Sequence, residues 1–138
     1  MPVVLRCHSG IGPVVSGMAL VADDNFSARY DLDRSRGIFV RPSHRLAGQS
    51  YVDRILVLDG AKGGVATAWM LHDTAARQIV PRALIFNRVN PILAQGAAFA
   101  GMALVDRFTG DVTLLFRTGD ALRVDPAAGV VKILNRDA

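Results

Sequence analysis

Residues 54–87, RILVLDGAKGGVATAWMLHDTAARQIVPRALIFN, contain two short apolar segments on either side of an amphipathic one. Residues 54–58 (RILVL) and 83–86 (ALIF) have the length and composition of buried β-strands. Between them, residues 65–77 lack Gly and Pro, and at about 100° per residue most of their apolar side chains fall on one arc, as in an amphipathic helix. Strand, helix and strand within about thirty residues predict a βαβ unit, whose strands are parallel and joined by a right-handed crossover.

The turn between the first strand and the helix, residues 59–64 (DGAKGG), is the predicted binding element. Ligands of α/β sheets gather at the carboxyl ends of strands, where the first N–H groups of the next helix have no intrahelical partner. Gly63 and Gly64 let the backbone approach a ligand, and Lys62 adds a positive charge beside the helix dipole. The turn therefore predicts a carboxylate or phosphate site, unless the glycines only make a tight turn and Lys62 is solvated. It is not a P-loop. That motif is Gly-x4-Gly-Lys followed by Ser or Thr, whereas here Gly63 and Gly64 follow Lys62.

A second helix start follows the second strand. Asn90 at an N-cap, followed by Pro at the first helical position, predicts a helix over residues 92–100, and residues 102–105 predict a third parallel strand. Because the carboxyl ends of parallel strands meet at one edge, Asn87 and Asn90 should lie near Lys62. That edge suits a polyoxygenated acid, although both asparagines could instead only cap backbone groups.

The flanking sequence is rich in β-branched residues and has frequent turns. Strands are predicted over residues 3–7, 14–15, 17–22, 26–32, 38–40, 112–117, 121–124 and 130–134. Turns are predicted over residues 9–13, 23–25, 33–37, 118–120 and 125–129, and an irregular segment over residues 41–50. The predicted fold class is α/β, with one domain over residues 1–138, mixed sheets, a central βαβαβ unit and β-rich termini.

The composition excludes several classes of function. The 138 residues are 51% hydrophobic, which is enough for the core of one domain. The formal net charge is +4, but the 16 Lys and Arg residues are scattered among 12 acidic ones without aromatic interleaving, which argues against nucleic-acid binding. No apolar run approaches the roughly 18 residues of a membrane span, and the first residues lack the pattern of a signal peptide. We therefore expect no nucleic-acid partner, no membrane insertion and a cytoplasmic location.

The chain has one cysteine, Cys7, so an intrachain disulfide is excluded. His8 is adjacent, but neighbouring residues of a strand point to opposite faces and cannot readily share an ion. We interpret Cys7 as a small buried hydrophobe and expect no metal site in this chain.

Five segments, in this order, resemble the small subunit, or swivel domain, of aconitase X-type enzymes. They are residues 17–21 (GMALV), 42–50 (PSHRLAGQS), 55–63 (ILVLDGAKG), 80–85 (VPRALI) and 90–97 (NPILAQGA). The resemblance implies a swivelling β/β/α domain that closes over a larger catalytic partner, in hydro-lyases that include phosphomevalonate dehydratase and cis-3-hydroxyproline dehydratase. It also implies that the partner carries the iron–sulfur cluster or metal ion. The single cysteine agrees, because such a cluster usually needs three or four thiolates.

The chain departs from the family at the turn. The family's usual Arg-Gly-Ser, whose Ser abstracts the proton, is replaced by Lys62-Gly63-Gly64. Thr67, one helical turn on, is the nearest hydroxyl, so the base would be Thr67, Lys62 or a residue of the partner, unless the substrate needs no base here. His44 lies in the loop that matches the family's His-containing segment and is a further substrate-binding candidate, unless its role is structural.

The sequence thus predicts the small subunit of an aconitase X-like hydro-lyase, which dehydrates a small hydroxy acid with a larger metal-bearing subunit and is inactive alone. The alternative is a non-catalytic module of the same fold that binds an anion or small molecule, as a homo-oligomer or alone. Gly64 is the feature that supports the alternative, because it stands where the family has its catalytic Ser.

Overall fold

The structure, a computed structural model, describes residues 3–26, 32–33, 36–61, 81–89, 94–95, 97–98 and 101–136. Within these residues the strands are β1 (Val3–Arg6), β2 (Val15–Phe26), β3 (Leu32–Asp33), β4 (Ile38–Phe39), β5 (Arg54–Ala61), β6 (Ala83–Arg88), β7 (Ala103–Val105), β8 (Ala121–Asp125) and β9 (Val130–Asn135). A four-residue helix, α1, covers Val112–Leu115. Residues 94–95 and 97–98 are also helical. None of the helices in this part of the chain has the length and apolar character of a bilayer span.

One mixed sheet carries the fold. In the part of the chain that the structure describes, its seven strands follow the order β1-β9-β8-β2-β5-β6-β7, and β3 pairs with β4 in a separate two-stranded sheet. The strands β2, β5, β6 and β7 are parallel neighbours, whereas β1, β9 and β8 extend the sheet by antiparallel pairing. This confirms the predicted α/β fold class, with parallel strands at its centre and β-rich termini.

The described residues include part of one of the two predicted central helices and none of the other. The helix predicted over residues 65–77 lies outside them. Of the helix predicted over residues 92–100, the described residues 94–95 and 97–98 are helical, in agreement with the prediction.

The two edges of the sheet meet, so the sheet closes on itself. After β1, the chain runs antiparallel to β7, where Ile11 and Leu104 exchange backbone hydrogen bonds of 3.0 and 2.9 Å. The N–H of His8 also donates to the carbonyl oxygen of Asp106 at 3.2 Å. A Cβ at Gly10 would collide with the Leu104 carbonyl oxygen, and Gly12 has a positive φ of 90°. Both glycines are therefore needed for the backbones to approach this closely.

Alternation along the strands divides the apolar side chains into two clusters. In β5, Ile55 and Val57 face the inside of the closed sheet, whereas Leu56 and Leu58 face outward. Four buried residues from outside the seven-stranded sheet pack on the outer cluster. They are Phe39 of β4, Leu46, Tyr51 and Ala97. The result is a layer of loop and helix packed on a closed β-sheet.

Residues 23–25, predicted as a turn, belong to β2, so that prediction is wrong. The strand continues to Phe26, which pairs with Ala61 of β5 after a bulge between Ala22 and Asn25. The bulge accommodates consecutive polar residues inside a paired strand, which the local sequence does not reveal. The same pairing keeps residues 59–61, predicted as the start of a turn, within β5.

The strand predicted over residues 112–117 is also wrong, because its first four residues form α1. Asp111 is the N-cap, and its carboxylate accepts the N–H of Thr113 at 2.9 Å. The N–H of Val112 donates to the side-chain oxygen of Asn87 at 2.9 Å. These caps satisfy the N–H groups of the first turn, and this tertiary support outweighs the β-propensity of the sequence VTLL.

An ion pair between buried Asp120 and partly exposed Arg136 holds the segment that follows β9. The Asp120 side chain is 1% exposed, and both of its oxygens accept from the Arg136 guanidinium, at 3.0 and 2.9 Å. Burial opposes the charge of Asp120, but the hydrogen bonds from Arg136 and from the Arg117 N–H outweigh it and lower the pKa of Asp120. Arg136 also donates to the carbonyl oxygen of Leu115 at 2.9 Å, so the pair links the residue after β9 to α1.

Candidate functional site

A cleft of about 820 Å³ opens at the carboxyl ends of β5 and β6. Its walls come from four places in the sequence: the end of β1 and the residues after it, the ends of β5 and β6, and the loop between β7 and α1. The lining residues are Arg6, Cys7, His8, Asp59, Gly60, Asn87, Arg88, Arg107, Phe108, Thr109 and Gly110. The cleft thus lies at the edge of the sheet where the sequence predicts ligand binding, and closure of the sheet supplies its remaining wall.

Asn87 connects three elements at this edge. Its side-chain nitrogen donates to an oxygen of Asp59 at 2.8 Å and to an oxygen of Asp111 at 3.0 Å. Its side-chain oxygen accepts the N–H of Val112, and its backbone oxygen accepts the N–H of Arg107 at 3.0 Å. Both amide hydrogens are therefore used by carboxylates, and Asn87 holds Asp59 and Asp111 in position.

Asp111 is exposed, and hydrogen bonds favour its ionised form further. The hydrogen bond from Asn87, followed by those from the side chain and backbone of Thr113, lowers the pKa of Asp111 below its usual range. Asp59, at the other side of the same amide, is exposed and lines the cleft. The cleft edge therefore presents two oriented carboxylates that keep free lone pairs.

Cys7 lies in the wall of the cleft and is half-buried. Burial, followed by the charge of Asp106, raises the pKa of the Cys7 thiol to about 11. The thiol stays protonated at neutral pH and packs against the inner apolar cluster. Cys7 is thus only partly buried, whereas the sequence predicts a buried residue. Among the described residues no three His, Cys, Asp or Glu side chains are grouped as metal ligands. The donor set of this chain, with one cysteine, does not fit an iron–sulfur cluster.

His44 does not line the cleft. It is 3% exposed, its ring stacks on Phe39 with centroids 4.7 Å apart, and its Nδ1 accepts the N–H of Leu46 at 3.0 Å. Its Nε2 lies 3.8 Å from an oxygen of Asp24 in β2. These contacts hold the irregular segment over residues 41–50 against the outer face of the sheet, and a role of His44 in substrate binding stays a prediction.

The remaining predicted site residues are outside the described part of the chain. They are Lys62, Gly63, Gly64, Thr67 and Asn90. The described strand that leads into the predicted turn ends at Ala61, and Gly60, which pairs with Arg88, lines the cleft. Roles for these five residues stay predictions.

Sequence reasoning missed most of the cleft. Asp59 has a local signal, since it directly follows the apolar run of a strand that ends at the binding edge. Arg6 and Arg107 have none, because only closure of the sheet brings the end of β1 to the loop after β7.

Comparisons with known proteins give the same architecture. The family model for the aconitase X swivel domain matches residues 4–133. The phosphomevalonate dehydratase small subunit of Methanococcoides burtonii is 30% identical over 96% of this chain and 96% of its own, and that of Methanocaldococcus jannaschii is 32% identical over 89% and 92%. The crystal structure of aconitase X from Thermococcus kodakaraensis aligns with a TM-score of 0.88 at 26% identity, over 96% of this chain and 98% of that chain. The chain therefore belongs to the aconitase X swivel domain family.

Proposed function

We propose that this chain is the small, swivelling subunit of an aconitase X-like hydro-lyase, which removes water from a small hydroxy acid together with a larger subunit. The observation that carries the proposal is the extent of the match. The chain aligns with 96% of the phosphomevalonate dehydratase small subunit of Methanococcoides burtonii, and we carry the small-subunit role over to it. The cytoplasmic location expected from the sequence remains part of the proposal.

The open cleft supports a shared active site. It is concave and lies at the strand ends, and its polar groups come from several elements, as is usual for a binding site on an α/β fold. A large partner that closes over this face would exclude water and complete the walls. The described residues do not fit a metal ion or cluster, so we assign the metal or iron–sulfur group of the reaction to the partner.

Dehydration removes a proton from one carbon and a hydroxyl group from its neighbour. This chain would contribute groups that bind and orient the acid: Lys62, Gly63 and Gly64 at the turn and Asn90 at the adjacent strand end, with Asn87 positioning the carboxylates of Asp59 and Asp111. His44, which is buried and outside the cleft, would contribute by holding its loop in place. Thr67, Lys62 or a partner residue would accept the proton, because Gly64 has no hydroxyl. The relatives named above act on phosphomevalonate, and we propose a small hydroxy acid as the substrate class here.

Anaerobic co-purification tests this proposal. The tagged chain is recovered from its own host, and the complex is examined by native mass spectrometry and iron analysis. We expect a larger, iron-containing chain in stoichiometric amount, and dehydration of hydroxy acids by the complex but not by the small chain alone. Recovery of the chain alone, or only as a metal-free homo-oligomer, would contradict the proposal.

The second candidate function is a non-catalytic module that binds an anion or small molecule, and Gly64 favours it. The variant Gly64→Ser discriminates between the two functions. In a working subunit that uses a different base, the new hydroxyl should alter the established site and lower the activity of the complex. In a non-catalytic module, the variant should leave every measured reaction rate at background.

A further inference from the structure

We propose that the cleft contains an anion-binding subsite made by Arg6, Arg88 and Arg107. This subsite would take a second negatively charged group of the substrate, a phosphate or a carboxylate, distant from the carbons that react. The identification of the ligand as a substrate rests on the proposed function, whereas anion binding itself is a property of this chain.

Arg6 and Arg88 are the first observation. Both are exposed and line the same cleft, although one ends β1 and the other ends β6. Among the described residues, neither guanidinium has an ion-pair or hydrogen-bond partner. Two unpaired guanidinium groups in one concavity repel each other, and an oxyanion that accepts from both would relieve that repulsion.

Arg107 is the second, independent observation. Its φ is 62°, in the left-handed region that residues other than Gly rarely adopt. The conformation is held by the hydrogen bond from its N–H to the Asn87 carbonyl oxygen, and its Nε lies 3.6 Å from an oxygen of Asp106. Unusual backbone conformations that are fixed by their surroundings cluster at binding sites. The hydrogen bond to Asn87 thus fixes the backbone of Arg107, which lines the cleft.

The nearby carboxylates do not cancel this positive charge. Three arginines line the cleft against one aspartate, Asp59. Asp59 and Asp111 accept from the neutral Asn87 amide and Asp106 accepts the N–H of Val89 at 3.1 Å, so all three keep their charge. None of them forms an ion pair with Arg6 or Arg88 among the described residues. Of the three cleft arginines, only Arg107 has a carboxylate within 4 Å among the described residues, so Arg6 and Arg88 remain available to a ligand.

The shape of the site favours a small molecule over an acidic surface of a protein. A volume of about 820 Å³ is in the range of small-molecule clefts, which are commonly about 300–1,000 Å³. The carboxylates beside Asn87 lie at the same edge as the arginines. A ligand with hydroxyl groups at one end and an anionic group at the other would satisfy both sets.

An NMR titration of the full, isotope-labelled chain tests the subsite without any partner. Inorganic phosphate and malonate are the probes, and chloride at equal ionic strength is the control. We expect saturable shifts at the backbone amides of Arg88, Arg107 and Thr109. Tighter binding of phosphate would indicate a phosphorylated substrate, and tighter binding of malonate would indicate a dicarboxylate.

The variants Arg88→Gln and Arg6→Gln should each weaken binding of the tighter probe about tenfold, the loss expected for one charge-assisted hydrogen bond. Arg123→Gln is the matched control, because Arg123 is exposed on β8 and outside the cleft. All three residues are exposed, and an unchanged amide spectrum without ligand verifies the fold. Shifts that do not saturate, or equal affinities in the Arg88 and Arg123 variants, would overturn the subsite. Failure here is distinct from failure to co-purify a partner, since the titration uses this chain alone.

Discussion

Two carboxylate networks lie in the same closed sheet, one buried and one open. Asp120 is almost fully buried, and its carboxylate is held by the guanidinium of Arg136. Asp59, which lines the cleft, and Asp111, which does not, are both exposed, and the donor that they share is the neutral amide of the cleft residue Asn87.

The two networks differ in the hydrogen-bond donor to their carboxylates, which is a guanidinium in one and an amide in the other. A guanidinium neutralises a carboxylate and satisfies both oxygens, so the buried network is complete and links the chain end to α1. An amide orients two carboxylates but leaves their charges in place. We infer that the buried network serves stability and that the open one serves binding, and the following variants test this division.

Arg136→Leu should have the largest effect on stability. It leaves the Asp120 charge buried without its cation, so we expect the free energy of unfolding to fall by about 3 kcal/mol. Urea denaturation at neutral pH measures this loss.

Arg123→Leu, at an exposed position on β8, is the control and should change stability by no more than about 0.5 kcal/mol. The double variant Asp120→Asn with Arg136→Leu should recover part of the loss, because it removes the unpaired charge. Equal stability of Arg136→Leu and Arg123→Leu would show that the Asp120–Arg136 pair does not stabilise the fold.

Asn87→Ala should have a smaller effect on stability but a clear effect on function. The N–H of Val112 loses its acceptor and the two carboxylates lose their common donor, which should cost about 1–2 kcal/mol in the same denaturation assay. In the complex with the larger subunit, loss of carboxylate orientation should lower the dehydration rate about tenfold.

Asn135→Ala is the matched control, since Asn135 is exposed at the end of β9 and outside the cleft. Activity should be unchanged in that variant. If both variants retain full activity, the open network has no part in the reaction.

The central strands could be predicted from sequence, whereas closure of the sheet could not. The apolar runs at β5, β6 and β7 are local signals, and their parallel pairing follows from the connections between them. Closure depends on Gly10 and Gly12 meeting a strand about ninety residues later, which no local pattern contains. The same limit applies to α1, because its first N–H is satisfied by Asn87 from another strand.

The candidate site divides in the same way. Asn87 could be placed at the binding edge because it follows a recognisable strand. Its carboxylate partner Asp111 and the cleft residue Arg107 could not, since the loop that carries them reaches the edge only through long-range contacts. Sequence reasoning therefore located the edge of the site and missed most of its charged groups.

Acidification should affect the wild type and Arg136→Leu in opposite directions. The pKa of Asp120 is lowered in the folded protein, so its stabilisation is present above the unfolded pKa of about 4 and is lost as pH falls through the folded pKa. Without the cation, burial should raise the pKa of Asp120 above its unfolded value, and stability should then increase as pH falls through the raised pKa. Urea denaturation from neutral pH into the acid range below about pH 4 measures both slopes, because the wild-type loss begins only there. Parallel slopes would mean that Arg136 does not control the charge of Asp120.

Asp111→Asn should have the smallest effect, and its pH dependence is the informative part. Asn is as good an N-cap as Asp, so α1 keeps its cap and the loss at neutral pH should be below about 0.5 kcal/mol. The pKa of Asp111 is lowered in the folded protein, so the advantage of the wild type is present above the unfolded pKa and disappears as pH falls through the folded pKa. Denaturation of both proteins across that range should show the two stabilities converging under acid conditions. A difference that stayed constant with pH would mean that the hydrogen bonds from Asn87 and Thr113 do not favour the ionised form of Asp111, and that the open network does not stabilise the charge beside the cleft.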